Sequence, residues 1–367
     1  MKINIAASHR FHLLDLAREL SSLGYDVKFY SYVPSKRCED FGLSSSMCHC
    51  FLPLVAPIML LQKIFPKSDI LQRFRCLVMD YYMSLFMRPC DVYIALGTVY
   101  KKSFVAAQKR FGAKTIMEWG SKHIDAQQAI LKSIAAPVNK EYWNKRSRDG
   151  YKLVDYISIA SDHVRRSFVE RGFSENKLLQ NPYGVDLSMF KPLVNIEKRY
   201  DVIMVGGWSK RKGCDLIIDA IKESKYTFLH VGSIVDLPFP NDDNFMHVDA
   251  VNQKELVNYY NQAKVFVLPS REEGLAMVQA QAIACNLPLI GSRDSGAEDL
   301  KKMVENKECI IIIDELNSNN IVKAVEQALK KYKELGSNTY AGRAIGNLTW
   351  KAYGERYSNY LKKYCNG

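Results

Sequence analysis

Apolar and polar positions along the chain alternate between short buried runs and longer amphipathic stretches. Lys2 to Ala6 (KINIA) is a short β-favouring run of the kind that parallel sheets bury on both faces. The polar loop Ala7-Ser8-His9-Arg10 follows, then a helical periodicity from Phe11 to Leu23 that stops at Gly24. Val27 to Tyr32 predicts the second strand, and Val92 to Leu96, Lys114 to Glu118 and Leu153 to Ile159 predict three more. Helices are expected over Val99 to Phe111 and over Asp162 to Arg171, the latter closed by Gly172. Strands alternating with helices imply an α/β domain built on a parallel sheet.

The rhythm restarts after residue 200. Asp201 to Val205 predicts a strand and Asp215 to Glu223 a helix. Phe228 to Val231 and Phe245 to Val248 predict strands, Gln253 to Ala263 a helix, and Ile310 to Ile313 a last short strand. The stretch that organises this half is AKVFVLPSREEGLAMVQAQAIACNLPLI, from Ala263 to Ile290. Val265 to Leu268 form a buried strand, Pro269-Ser270 stop it, and Arg271, Glu272 and Glu273 make a polar turn. From Gly274 the spacing of Leu275, Val278, Ala282 and Cys285 is helical. A strand feeding a helix in this way opens at the carboxyl edge of the sheet, where open α/β folds bind ligands. Free N–H groups from Gly274 through Leu275 and Ala276 to Met277 would form an anion site there. Gln281 lies about two turns further along the helix.

A glycine-rich basic loop, Gly206-Gly207-Trp208-Ser209-Lys210-Arg211-Lys212-Gly213, precedes the helix at Asp215. Glycines let backbone approach phosphate closely, and a lysine brings a point charge to it. The loop is not a P-loop, because its spacing differs and no Gly-Lys-Ser/Thr occurs. The first βαβ unit lacks Gly-x-Gly-x-x-Gly, which argues against a dehydrogenase.

Taken together, Pro269, Ser270, Glu273, Gly274, Ala282, Ala284 and Pro288 resemble the donor-site signature of the retaining GT-B glycosyltransferases of family 4 (group 1). The passage from Val154 to Pro192, with Asn181-Pro182-Tyr183-Gly184-Val185-Asp186 and Phe190, resembles that family's interdomain passage. Three positions depart from the pattern: Gln281 replaces the second Glu, Asn286 a glycine, and Gly207 a frequent arginine. The resemblance implies two doubly wound Rossmann-like domains facing a central cleft. Residues 1–183 would be the acceptor-side domain, 184–199 the hinge and 200–349 the nucleotide-sugar domain. The terminal helix 350–367 would cross back to complete the first domain. It further implies that Glu273 and His123 position the donor sugar and that Lys212 carries diphosphate charge, assisted by Gly207, Ser209 and Arg211. Gln281 would meet the ribose, and the loop holding Asp249 and Val251 would meet the base through backbone groups. Ser8, His9, Gly120 and Ser121 would face the acceptor.

Composition narrows the remaining choices. Nine cysteines in 367 residues form no regular framework, and Cys48-x-Cys50 is too close for a redox or zinc pair, so reduced thiols are expected. Met1-Lys2 leads directly into a strand, which predicts no secretory signal. The net charge is +12 and is concentrated early: residues 1–190 carry 27 Lys+Arg against 17 Asp+Glu. That points to an anionic partner. The charge is dispersed and no nucleic-acid-binding motif occurs, so nucleic acid is not expected. The apolar run Phe51 to Leu61 is too short to span a bilayer. Lys63, Lys67, Arg73, Arg75 and the segment DYYMSLFMR follow it, a pattern suited to an anionic membrane surface. The alternative is a core helix over Ile70 to Met87 with a solvated basic face.

The sequence therefore predicts a retaining transferase that moves a sugar from a nucleotide-diphosphate sugar to a lipid-linked or glycan acceptor, in surface polysaccharide or glycolipid synthesis. It would be cytoplasmic and peripheral at the inner face of a membrane. No cofactor or divalent metal is expected, because Lys212 and the helix start can take a metal's part. The alternatives are a GT-B nucleotide-sugar epimerase and a non-catalytic sugar-nucleotide-binding protein, the latter permitted by Gln281 and Gly207.

Overall fold

In the computed structural model, which describes residues 1–66, 68–335 and 346–365, the chain forms two all-parallel sheets. The first contains β1 (Lys2–Ala7), β2 (Asp26–Ser31), β3 (Cys48–Cys50), β4 (Val92–Leu96), β5 (Lys114–Trp119), β6 (Tyr156–Ile159) and β7 (Leu178–Gln180), in the order β3-β2-β1-β4-β5-β6-β7. The second contains β8 (Tyr200–Val205), β9 (Phe228–Val231), β10 (Phe245–Val248), β11 (Ala263–Leu268), β12 (Leu289–Ser292) and β13 (Ile310–Ile313), in the order β10-β9-β8-β11-β12-β13. In both, the order reverses beside the first strand. That leaves a crevice at the carboxyl edge, where adjacent connections part to opposite faces. The central strands are mostly apolar because both faces are covered: Ile3, Ile5, Val265 and Phe266 are fully buried.

The chain crosses between the sheets over residues 181–199 and returns near Leu348. Val185 N–H donates to the Leu348 carbonyl at 2.7 Å, and Val185 also bridges to Thr349. The helix Trp350–Tyr364 then lies against the helix Phe11–Ser22 of the first domain. It is tied down by the Tyr357 hydroxyl on Glu118 (2.7 Å) and the Asn181 amide on the Tyr353 carbonyl (3.1 Å). The expected positions Lys67, 336–345 and 366–367 lie outside the described residues.

Several element bounds differ from the sequence reading. The helix expected from Gly274 begins at Met277, so Gly274 and Leu275 belong to a loop and Ala276 is the N-cap residue. The helix expected from Val99 begins at Lys102, after Thr98 has taken a positive φ of 72°. Leu153 ends a helix, Glu141–Leu153, and the strand starts only at Tyr156. That helix is strongly polar and contains Gly150, which masked its periodicity. The glycine lets Met117 approach, since a Cβ there would lie 2.6 Å from the Met117 methyl. The apolar run Phe51 to Leu61 is the helix Leu52–Ile64, with Pro53 in its first turn and Pro57 inside it. Only Val55 of that helix is buried. All nine cysteines are unpaired.

At Gly184 a Cβ would stand 2.6 Å from both the nitrogen and the α-carbon of Trp350, so neither neighbour can rotate away. Gly184→Ala is expected to lower stability by about 1–3 kcal/mol through overpacking. Urea unfolding of the two proteins measures this, and an unchanged midpoint would show that the crossing is looser than this packing implies.

Candidate functional site

The crevice above β8 and β11 collects four charged side chains. Gly206 (φ 122°) and Gly207 leave β8, and a short 3-10 turn, Lys210–Lys212, follows. Ser209 caps that turn, its hydroxyl accepting from Lys212 N–H at 3.4 Å. The turn ends at Gly213, whose φ of 74° and contact with the Pro269 carbonyl (a Cβ would lie 2.2 Å away) both require glycine. This contact brings the 210–212 turn against the loop after β11. There Lys212 Nζ donates to Glu273 Oε2 at 2.7 Å, and the Arg211 guanidinium reaches Glu273 Oε1 at 3.5 Å and Glu272 Oε2 at 3.3 Å. The Lys212 ammonium also lies against Gly206, 3.5 Å from where a Cβ would project.

Glu273 is an ion rather than a proton carrier. Burial works against its charge, but Lys212 and Arg211 outweigh burial and hold the carboxyl below its ordinary range. Its backbone carbonyl accepts from His163 Nε2 at 2.7 Å. A carbonyl only accepts, so this imidazole carries its proton on Nε2. His230 does the same for the phosphate-loop candidate, donating from Nε2 to the Gly206 carbonyl at 2.7 Å. Burial pushes His230 down to about 4, so it is neutral at physiological pH. The sequence reading missed Glu272, His163 and His230. Only Glu272 had a signal, as a second carboxylate in a turn already singled out.

The three departures from the motif each have a local account. Asn286 adopts φ 64°, the left-handed conformation that a glycine usually supplies at a helix end. Gln281 is buried, and its Oε1 accepts from the Tyr260 hydroxyl at 3.0 Å, which leaves the amide nitrogen as its donor. At Gly207 a Cβ would lie 3.0 Å from Val235, and the second cation of the loop is Arg211 instead.

Other predicted residues are placed as follows. Leu275 and Ala276 are buried and Met277 is exposed at the helix start. The Gly274 carbonyl accepts from Ser161 Oγ at 2.7 Å across the domain boundary. Ser8 and His9 contact one another at 3.0 Å and line a cavity of about 1100 Å³ between the domains. Phe11 opens the following helix with φ 39°, exposed at the same cleft. Asp249 is exposed, 3.4 Å from His247 Nε2, and Val251 is half-buried. Gly120 and Ser121, expected at the acceptor, line a cavity with Ser8 and also meet the second domain: the Gly120 carbonyl packs on Gly274, and Ser121 Oγ donates to Glu272 at 2.6 Å.

His123, expected beside the donor sugar, stands at the start of a helix. It caps the helix Ile124–Ser133, Nδ1 accepting from Asp125 N–H at 3.2 Å. Its ring lies among Tyr151, Phe168 and Phe173 and is 4% exposed. Burial pushes it down to about 4. The neutral imidazole, enclosed by aromatic rings, packs and caps here.

The two sheets and the cleft between them are the GT-B fold, α/β with two Rossmann-like domains. Residues 187–344 match the family model for glycosyl transferases group 1, so the chain carries a group 1 glycosyltransferase domain. An uncharacterized 41.2 kDa protein in the cps region of Klebsiella pneumoniae is 25% identical over 228 residues, covering 57% of this chain and 63% of that protein. A GDP-mannose-dependent α-(1-6)-phosphatidylinositol monomannoside mannosyltransferase of Mycolicibacterium smegmatis is 23% identical over 240 residues, covering 56% and 62%. The matches therefore span less than two thirds of either relative. Among solved structures, Anabaena Alr3699/HepE in complex with UDP-glucose superposes with a TM-score of 0.64 at 12% identity, over 99% of this chain and 100% of that one.

Acid stability tests the placement of the buried histidines. His123 and His230 titrate at about 4 when folded, against an ordinary 6.5. Between those values the unfolded chain binds more protons, so stability falls as pH drops from 6.5 to 4, by about 3 kcal/mol for each histidine. His123→Asn keeps the cap and is expected to flatten this acid limb in melting curves. A loss of donor turnover at neutral pH with the melting temperature intact would return His123 to the site.

Proposed function

We propose that this chain is a retaining glycosyltransferase that uses a nucleotide-diphosphate sugar. The observation that carries the reading is the Lys212–Glu273–Arg211 cluster beside Gly206 and the start of the helix Met277–Ala284. Such a cluster suits a leaving diphosphate: Lys212, Arg211 and the helix N–H groups take its developing charge. Glu273, held ionised, orients the sugar by accepting hydrogen bonds from hydroxyls. Gln281 offers an amide donor to the ribose. The reaction proceeds by front-face attack, with the donor phosphate taking the acceptor proton, and needs no divalent metal. The group 1 domain and the UDP-glucose complex of a GT-B neighbour support the donor class.

For the acceptor, the 1100 Å³ cavity is the natural seat. Its lining includes Arg10, Arg18, Arg37 and Lys254, matched by Asp15, Asp40, Asp186 and Glu255, so it has no net charge. Interspersed charges and the rings of Tyr32, Phe41 and Trp350 suit a glycan better than a bare phosphate. Leu52 and Met59 form its apolar end. Beyond them Leu60, Ile64, Ile70, Phe74 and Phe86 are exposed on the helices Leu52–Ile64 and Asp69–Phe86, as is Phe65 just past the end of the first. Lys102 and Arg110 flank the second of these helices. No helix among the described residues is long and apolar enough to cross a membrane. The arrangement fits a face lying on an anionic bilayer, with a lipid-linked glycan reaching the cleft. The cps-region relative supports a place in surface polysaccharide synthesis.

Three experiments test this. Lys212→Ala and Glu273→Ala are each expected to lose at least about 100-fold in donor turnover, the scale of removing a transition-state contact, with the fold retained. Wild-type turnover should persist in a chelator. Near-normal rates in either variant would refute the site, and strict Mn²⁺ or Mg²⁺ dependence would refute the metal-free mechanism. For the membrane face, the protein should float with phosphatidylglycerol vesicles, and Ile64→Glu with Phe74→Glu should abolish this. Equal flotation of the variant would place the membrane contact elsewhere.

A further inference from the structure

Resting on that donor-site reading, we propose that Glu272 is a positioning residue, a latch that completes the donor site only when the two domains are shut. Glu272 is fully buried. Its Oε1 accepts from Ser121 Oγ at 2.6 Å and from Lys122 N–H at 3.2 Å, and its Oε2 accepts from Gln127 Nε2 at 3.2 Å and Arg211 at 3.3 Å. All but Arg211 belong to the first domain, whereas Glu272 belongs to the second.

The grip extends along the turn. His163, also of the first domain, holds the Glu273 carbonyl, and Ser161 holds the Gly274 carbonyl. Gly274 lies so close to the first domain that a Cβ would stand 2.1 Å from the Gly120 carbonyl. Residues 272–274 are thus fixed from the opposite domain at every position. A carboxylate can be buried only with its hydrogen-bond donors in place. Opening the cleft would remove the Ser121, Lys122 and Gln127 donors together. Arg211 would then be left to Glu272 and Glu273 alone, and the backbone under Glu273 would lose its support. Closure and the Arg211–Glu273–Lys212 arrangement are therefore one event, and Glu272 links them without touching the donor.

Glu272→Gln retains the size of the side chain, but its amide NH₂ would face the Gln127 and Arg211 donors. Donor turnover is read as nucleoside diphosphate released from UDP-glucose and from GDP-mannose, and affinity by titration with UDP and GDP. The variant should lose about tenfold or more in kcat while nucleotide affinity changes less than about threefold, because the lost contacts belong to closure and not to binding. Amide hydrogen exchange should rise locally, at residues 120–127 and 272–274. Wild-type kcat with unchanged exchange would overturn the proposal. So would exchange raised across the whole chain with a lowered melting temperature, which marks a folding role. If wild-type protein binds neither nucleotide, the donor reading falls, and local exchange in the variant still decides the latch.

Discussion

Two adjacent carboxylates, Glu272 and Glu273, sit in a domain boundary with little solvent, and the rest of the site follows from how their charge is balanced. Like charges on consecutive residues repel, and burial adds a desolvation cost of several kcal/mol per ion. Arg211 is placed between them and Lys212 beside the second, so the four side chains sum to zero formal charge. Arginine suits the bridging position because its planar fork can face two carboxylates at once, which an ammonium cannot do as well. Lysine suits the outer one because it is a mobile point charge that a second anion can share.

That balance depends on backbone placement that only the fold supplies. Parallel strands bring every crossover loop out at one edge, and the 210–212 turn and the 269–274 loop meet there because β8 and β11 are neighbours. Gly213 against the Pro269 carbonyl sets how close they come. The helix Trp350–Tyr364 contributes from a distance: by packing on the first domain and bonding to Glu118 it ties the chain end across the cleft. Each domain therefore has a hand in shaping the same turn.

Much of this was legible in the sequence because periodicity reports burial, and burial in a parallel sheet leaves short apolar runs. The strands Lys2–Ala7, Phe228–Val231 and Phe245–Val248 needed nothing more. Glu273, Lys212 and Arg211 were visible as a spaced motif and come together in space. The helix Glu141–Leu153 was not legible, since its buried face consists of Asn144, Ser147, Gly150 and Tyr151. The three-residue β3 and β7 are too short to carry a pattern. The surroundings of His123 were not legible either, because a histidine in a polar loop after a strand looks the same whether it faces a ligand or caps the next helix. Its aromatic enclosure comes from Tyr151, Phe168 and Phe173, 28 to 50 residues away in sequence. Glu272 was read as turn polarity because its partners lie about 60 to 150 positions away, beyond the reach of any local pattern.

The neutral cluster also bears on how a sugar can be transferred with retention. A double displacement needs a carboxylate free to attack the anomeric carbon. Glu273, the one carboxylate of the cluster not enclosed by the other domain, is already held by Lys212 at 2.7 Å. On the proposed donor reading, an incoming diphosphate would compete with Glu273 for the same ammonium, so the lysine would be shared and the carboxylate partly released toward the sugar. A carboxylate freed in this way gains hydrogen-bond capacity toward hydroxyl groups while remaining next to two cations that lower its nucleophilicity. In the proposed reaction the same cations would stabilise the departing phosphate, so the charge arrangement would favour leaving-group departure over covalent capture. That is the electrostatic condition for attack from the face the diphosphate has just left.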